Sequence, residues 1–411
     1  MLWIYNIGIA MYGLLLRFAS LFNAKAKLFV EGRQHIFEKI AQKLNPDDQP
    51  VWFHFASLGE FEQGRPVLEK LKAADPQQKI VVTFFSPSGY EIRKNYALAD
   101  VFYLPLDTAA NAKKFIDIVN PKLTIFTKYE FWFHYFKALH TRAIPLYLIS
   151  GIFRPHQAFF KGYGGFYRGI LKFVTHFFVQ NEESLALLKD IGINQVSLSG
   201  DTRFDRVYEN AKHPKKLPEI EAFCEGSPIF IAGSTWPEDE KLLVALTAKY
   251  PDWKFIIAPH EIGPSHIQEI ESLFPQAIKF SVFSSQFAAD QAQSQKLKAQ
   301  SLIIDNIGML SSLYQYAKVA YIGGGFGAGI HNTLEAAAFG LPVIFGPKYD
   351  KFQEAKDLIS IGAAKSINTS GELLEATAHF IANEKAATAA QNYVNEKKGA
   401  TEMIINTLHQ H

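Results

Sequence analysis

The sequence predicts an α/β protein built from two Rossmann-like domains facing each other across a cleft. Short apolar runs alternate with longer stretches of helical spacing along the whole chain, the pattern of parallel strands joined by crossover helices. The second half also echoes the first: WFHFASLGEFE is answered by IFIAGSTWPEDE, and IVVTFFSPSGYE by KFIIAPHEIGPSH. With 411 residues the chain has the length for two domains of roughly 100–200 residues each.

The chain opens on MLWIYNIGIAMYGLLL, sixteen residues without a charge before Arg17. This predicts a membrane-associated apolar helix over residues 1–22. A spanning helix needs about 20 mostly apolar residues, so the run is short, and Asn6 interrupts it. Ala24-Lys25-Ala26 imitates a signal-peptide cleavage site, but no basic region precedes the apolar run. In-plane anchor, single span and docked core helix stay open. Arg17, Lys25, Lys27 and Arg33 form a basic collar suited to anionic headgroups.

Strands follow at 51–56, 80–85, 101–106, 123–127 and 144–150, giving a first domain over 23–210. The proline- and charge-rich stretch 211–227 reads as a linker. A second domain, 228–395, carries strands at 228–233, 254–259, 302–305, 319–324 and 342–346, and the low-complexity stretch 284–301 is expected as a surface helix or loop. The net charge of +2 gives no global case for a nucleic-acid partner. One cysteine, Cys224, excludes an internal disulfide and any cysteine-based metal cluster. No P-loop, D-x-D triplet or zinc spacing occurs, so the sequence implies neither a metal nor a cofactor.

Ligands of such sheets sit beyond the carboxyl ends of the strands, so the loops there hold the candidate chemistry. The strongest is YIGGGFGAGIHNTLEAAAFG, where Gly323, Gly324, Gly325, Gly327 and Gly329 precede a helix expected from about His331 to Gly340. Glycines let a backbone approach a ligand closely, and N–H groups at a helix start favour a phosphate. Glu335 sits where a carboxylate can accept hydrogen bonds from ribose hydroxyls. The plainer reading is an Asn332 cap with Glu335 as its partner. Gly233, Ser234 and Thr235 are small residues after a strand. Capping explains Thr235, and hydroxyl–phosphate contact is the alternative. His260 ends the next strand. In SGDTRFDR, Arg203 and Arg206 stand among Asp201 and Asp205, either a solvated ion-pair cluster or a fork for phosphate or carboxylate.

Glu60 follows the first strand in ASLGEFE. Ser57-x-x-Glu60 has the form of a capping box, with Glu60 reaching the Ser57 N–H, and Gly64 and Pro66 are expected to keep that helix brief. A carboxylate beside a cleft is also a plausible general base.

These residues together resemble the 3-deoxy-D-manno-octulosonate (Kdo) transferases of the lipopolysaccharide inner core. The match covers most of the chain: the GR of Glu31-Gly32-Arg33, SLGE for the family's SVGE, TFFSPSGYE, YLPLDTAANAKKFIDIVNP, KYEFW, SGDTRFD, AGSTWPEDE, IIDNIGMLSSLY, IGGGFGAGIHNTLE and AAAFGLPVIFGP stand in the family's order. The resemblance implies a GT-B fold with a C-terminal helix, residues 396–411, packing back toward the first domain. It implies inverting, metal-independent transfer of Kdo from CMP-Kdo to the 6′-hydroxyl of the lipid A precursor, at the cytoplasmic face of the inner membrane. Glu60 takes the role of base, Asn332 the phosphate and Glu335 the ribose, and the DNIG loop with Ile307 and Gly308 frames the cytosine. Gly233, Ser234, Thr235, His260, Gly325 and Gly327 complete the candidate donor contacts. Ser57, Gly59, Ser86, Glu130 and Arg203 are the candidate acceptor, carboxylate or phosphate contacts. The chain departs from the family at Ala258-Pro259-His260-Glu261, which lacks the usual Pro-Arg-His arginine, and at Asp201 and Arg203, which replace Asn and Lys. The alternatives are another GT-B nucleotide-sugar transferase or epimerase and a non-catalytic, membrane-bound nucleotide-binding protein.

Overall fold

The computed structural model describes residues 1–45, 47–289 and 299–409, so half of the 284–301 stretch lies outside the described residues. The chain divides into two compact units, Met1–Asp205 with Lys398–His411, and Arg206–Lys397.

In the first unit seven parallel strands, β1 (Val51–Phe55), β2 (Ile80–Phe84), β3 (Asp100–Tyr103), β4 (Leu123–Thr127), β5 (Leu146–Gly151), β6 (His176–Val179) and β7 (Val196–Leu198), lie in the order 3-2-1-4-5-6-7. Side chains alternate across the sheet. Trp52, Val81 and Phe126 enter one core, while Val51, Phe53, Phe55 and Val82 enter the other. Both faces are covered, so β1 reads as an unbroken apolar run apart from His54. In the second unit β8 (Ile229–Thr235), β9 (Lys254–Pro259), β10 (Ala277–Lys279), β11 (Ser301–Ile303), β12 (Val319–Ile322), β13 (Val343–Phe345) and β14 (Ala364–Ser366) lie in the order 10-11-9-8-12-13-14, again all parallel. Strand order reverses between β1 and β4 in one sheet and between β8 and β12 in the other. Ligands of open α/β sheets bind at such switch points.

The apolar N-terminus forms α1 (Leu2–Ala19), followed by α2 (Ala24–Gly32) and α3 (Ile36–Ala41). No residue of α1 is fully buried, yet one stripe of it is seated on the first unit. The Tyr5 hydroxyl donates to Asp107, and the Asn6 side chain meets His134 Nε2 at 2.7 Å. Tyr12 stacks on Phe85 with centroids 6.0 Å apart, and a Cβ at Gly13 would meet Leu106 at 2.8 Å. Trp3, Ile7, Met11, Leu14, Leu15 and Phe18 point to solvent. The expected basic collar loses one member. Arg17, Lys25 and Lys27 are exposed, but Arg33 turns inward and donates to the carbonyls of Phe29, Phe85 and Leu104.

The helix after β1 is not brief. It runs as α4 (Leu58–Ala74) straight through Pro66. A proline inside a helix costs about 3 kcal/mol. Phe61, Val67 and Leu68 are wholly buried on the same helix, each contributing roughly 1.5–3 kcal/mol, and their packing outweighs that cost. Gly64 lets α4 approach β1, since a Cβ there would sit 2.3 Å from the Phe55 ring.

The segment read as a linker holds a helix, Pro218–Cys224, whose Ile220 and Phe223 are buried within the second unit. Its proline opens that helix. The helix Ala400–Leu408 belongs to the first unit. Its Ile404, Ile405 and Leu408 join the core of Phe53 and Val67, and Asp205 accepts from the N–H groups of Gly399 and Thr401 at its start.

Candidate functional site

At the first switch point the chain leaves β1 through Ala56 and Ser57 into α4, and leaves β4 through Lys128 toward Glu130. Ser57 occupies the N-cap position, but its side chain makes no cap hydrogen bond. The expected capping box is shifted by one residue: the Ala56 N–H, not that of Ser57, donates to Glu60 Oε2 at 2.5 Å. Ala56 lies just beyond the last β1 pairing, so its N–H needs an acceptor that the sheet does not supply. Glu60 is only 9% exposed, and burial pushes its carboxyl up to about 7. The nearby Glu130 charge adds to the rise, while the Ala56 N–H and Lys128 oppose it. A carboxyl poised there exchanges protons at physiological pH, as a general base must.

Glu130 is held from two sides. Trp132 Nε1 donates to its Oε2 at 2.8 Å, and His54 Nε2 lies 3.4 Å from the same oxygen. His54 is fully buried, and burial lowers its pKa, so it is neutral. Its Nδ1 meets the Thr83 hydroxyl at 2.9 Å, and that oxygen already accepts from Trp52 Nε1 at 2.8 Å. The consistent assignment has Thr83 donating to Nδ1 and Nε2–H facing Glu130. Ser86 joins this edge, because its N–H donates to the Ala56 carbonyl at 2.9 Å. Ser57, Gly59, Glu60, Ser86 and Glu130 therefore share one rim. Arg203 is committed elsewhere: its Nε and Nη2 reach Asp201 Oδ2 at 2.8 and 2.7 Å, the ion-pair reading of that cluster. His54 and Lys128 were missed in the sequence. A histidine inside VWFHF was the available signal for one. Lys128 takes a left-handed backbone, φ +60°, which no sequence pattern announced.

The second switch point is organised by Asp239, fully buried. Its Oδ2 accepts from the N–H groups of Trp236 (3.0 Å) and Gly324 (2.9 Å), and its Oδ1 from the Tyr321 hydroxyl at 2.6 Å. This ties the end of β8 to the glycine loop after β12. Much of the loop's glycine content answers to packing. A Cβ on Gly325 would fall 2.6 Å from the Gly346 backbone, and Gly324 has φ +90°. Gly327 alone of this loop's glycines keeps open space, its nearest neighbour 3.7 Å away. The helix that follows is short, Leu334–Ala338, with Thr333 before it. Asn332 accepts from the Leu334 N–H at 3.1 Å and donates through Nδ2 to Glu335 at 3.1 Å. Burial raises the Glu335 carboxyl, against Asn332 and the Arg206 charge. Thr235 does not cap. It ends β8 and donates its hydroxyl to Glu240 at 2.8 Å, wholly buried. Ser234 beside it is held at φ +54°, an uncommon conformation for a residue with a side chain.

His260 stacks between Trp236 (5.0 Å) and His331 (4.3 Å). Burial and the neighbouring His260 push His331 down to about 4, so it is neutral and accepts from Trp236 Nε1 at 3.1 Å. Its proton is therefore on Nδ1. Ile307, 84% exposed, and Gly308 stand on the loop after β11, two strands from β8 in the sheet.

Two all-parallel sheets, each carrying polar residues at the point of strand reversal, make an α/β fold of the GT-B type. The fold is similar to that of UDP-GlcNAc 2-epimerase from Neisseria meningitidis (TM-score 0.59, 15% identity, 88% of this chain and 100% of that one). It is likewise similar to a glycosyltransferase from Rickettsia africae (TM-score 0.56, 14% identity, 88% and 97%). In sequence, residues 31–206 match the family model described as 3-deoxy-D-manno-octulosonic-acid transferase (kdotransferase). The chain is 25% identical to the 3-deoxy-D-manno-octulosonic acid transferase of Haemophilus influenzae, over 96% of this chain and 95% of that protein. It is 26% identical to that of Aquifex aeolicus, over 82% and 87%. The chain is thus similar to Kdo transferases over most of its length, which supports a Kdo glycosyltransferase.

Proposed function

We propose that this protein transfers Kdo from CMP-Kdo to the 6′-hydroxyl of a lipid A precursor in lipopolysaccharide synthesis, with Glu60 as general base. The observation that carries the reading is Glu60 itself, a buried carboxyl raised to about 7 and held by one backbone N–H at the rim of the first unit. In the reaction the acceptor oxygen attacks the anomeric ketose carbon and the bond from that carbon to the CMP phosphate oxygen breaks. CMP leaves with the electron pair, and the acceptor proton passes to Glu60. Burial is the main cause that keeps Glu60 basic enough to accept it, and the Glu130 charge adds to it.

The second unit takes the donor. Asn332 offers its amide to the phosphate and Glu335 its carboxyl to the ribose, the arrangement supported by their mutual hydrogen bond and by the ordered glycine loop. The stack of Trp236, His260 and His331 supplies polar hydrogens where the family's arginine is missing. The enzyme works on the cytoplasmic face of the inner membrane, with α1 lying in plane. The stripe of α1 that holds Tyr5, Asn6 and Tyr12 is already engaged by the first unit, which supports this orientation over a span.

Incubating the protein with CMP-Kdo and the tetraacylated precursor in detergent tests the reading, following CMP release and acceptor mass together. CMP-Kdo turnover without acceptor gain would overturn the acceptor assignment. Binding of UDP as tight as CMP would overturn the donor assignment.

A further inference from the structure

A cavity of about 440 Å³ lies beneath α1, outside the rim of Glu60 and Glu130. Leu16 of α1, Phe29 and Val30 of α2, Ile36 and Phe37 of α3, and Leu106 after β3 give it apolar walls. Among the described residues its only charged lining groups are cations, Arg17 and Arg33. Arg17 is exposed beside the apolar Leu14, Leu15 and Phe18 of α1.

Arg33 is unusual. Its guanidinium rests on the Phe29 ring at 3.4 Å and donates to three backbone carbonyls, at 2.8, 3.0 and 2.7 Å. Tyrosines, not carboxylates, are the groups whose charge acts on it, and no carboxylate pairs with it among the described residues. Burial lowers it to about 9. A guanidinium has five N–H donors, so with three engaged two remain for another acceptor. A withdrawn cation with no anion costs stability unless a partner arrives. The volume falls within the roughly 300–1,000 Å³ of ligand sites.

We propose that this cavity binds an anionic phospholipid of the bilayer, one acyl chain between α1, α2 and α3 and the phosphate on Arg17 and Arg33. The charge is complementary, since cations alone answer the phosphate. The exposed Leu14, Leu15 and Phe18 of α1 stand beside Arg17, so a bilayer that meets them brings lipid to the rim of the cavity. The site is independent of the catalytic assignment, because its test involves neither donor nor turnover.

The full chain, purified in mild detergent, is mixed with phosphatidylglycerol, phosphatidylcholine or inorganic phosphate and examined by native mass spectrometry. One phosphatidylglycerol should stay bound, with phosphatidylcholine retained at least tenfold less and phosphate not at all. Val30→Trp fills the cavity and should abolish retention. Arg17→Gln should weaken it about tenfold. If Val30→Trp does not fold, Leu16→Trp fills the space from the opposite wall. Equal retention of phosphatidylcholine, or retention of phosphatidylglycerol by the folded, filled variants, overturns the proposal. So does phosphate binding alone. Displacement of phosphatidylglycerol by equimolar acceptor lipid overturns the assignment to bilayer lipid, and persistence of the adduct supports it.

Discussion

Replacing Glu60 by glutamine removes a proton acceptor while keeping an oxygen for the Ala56 N–H. Two measurable effects follow from the rise of its carboxyl from an ordinary 4.5 to about 7. The first is on rate. Below pH 7 the wild-type base is mostly protonated, so kcat/KM should climb about tenfold per pH unit and level off above that point. Glu60→Gln should lose roughly 10²–10⁴ of the rate and this dependence with it. The second is on stability. Between pH 4.5 and 7 the folded chain holds a proton that the unfolded chain has released, so wild-type stability falls as pH rises through this window. At about 1.4 kcal/mol for each tenfold change in proton affinity, the loss is about 3 kcal/mol above pH 7. Glutamine carries no such proton. The variant should match the wild type below pH 4.5 and exceed it by about 3 kcal/mol above pH 7, roughly 6–12 °C in melting temperature for a unit of this size. Parallel melting curves and CMP-release rates from pH 4 to 8.5 read both effects. A flat wild-type rate from pH 5.5 to 8, or near-normal turnover in the variant, would refute the base assignment.

Glu130→Gln keeps the Trp132 hydrogen bond but removes the charge that raises Glu60, so the midpoint of the pH–rate curve should move to lower pH. Glu335→Ala removes the proposed ribose acceptor and should weaken CMP binding roughly 10–100-fold by calorimetry, about 1.5–3 kcal/mol. Asp239→Ala removes the acceptor of the Trp236 and Gly324 N–H groups and orphans both, costing about 2–6 kcal/mol in thermal unfolding and loosening the glycine loop. Tyr5→Phe takes one donor from Asp107, which keeps the N–H groups of His134 and Tyr135, so the loss should be about 1–2 kcal/mol.

The strands that meet at the switch points were legible because both sheet faces are covered, which makes each a mostly apolar run, from four residues at Val319–Ile322 to seven at Ile229–Thr235. Val196–Leu198, Ala277–Lys279 and Ala364–Ser366 are three-residue edge strands, too short to show any period. The glycine loop was legible as a feature, while the packing demand on several of its glycines was not. Gly325 is needed against Gly346, a contact between residues of separate strand ends that spacing does not reveal. Pro66 misled for the opposite reason. Its local cost is real, and only the tertiary burial of Phe61, Val67 and Leu68 overrides it. The capping box at Ser57 was one residue out because the pattern fixes a side-chain distance, while the free N–H is set by where β1 stops pairing.

The first helix also bears on the chemistry, a link that none of its sequence readings as anchor, span or docked core helix had shown. Tyr12 of α1 stacks on Phe85, Phe85 lies 4.7 Å from the Trp132 ring, and Trp132 Nε1 holds Glu130. Arg33, just past α2, grips the Phe85 carbonyl at 2.7 Å. Phe85 also donates its N–H to Phe55, and the next residue, Ser86, donates to Ala56, whose own N–H reaches Glu60. The outer support of both carboxylates thus converges on Phe85, and α1 covers it. A helix that only tethered the enzyme would need no polar contacts along its inner stripe. Tyr5 and Asn6 make such contacts with Asp107 and His134. Hydrogen bonds of this kind fix orientation and depth, which apolar contact alone leaves free to slide. Removing α1 therefore strips the packing from Phe85 as well as the tether, and an inactive truncation would report on the site as much as on the membrane.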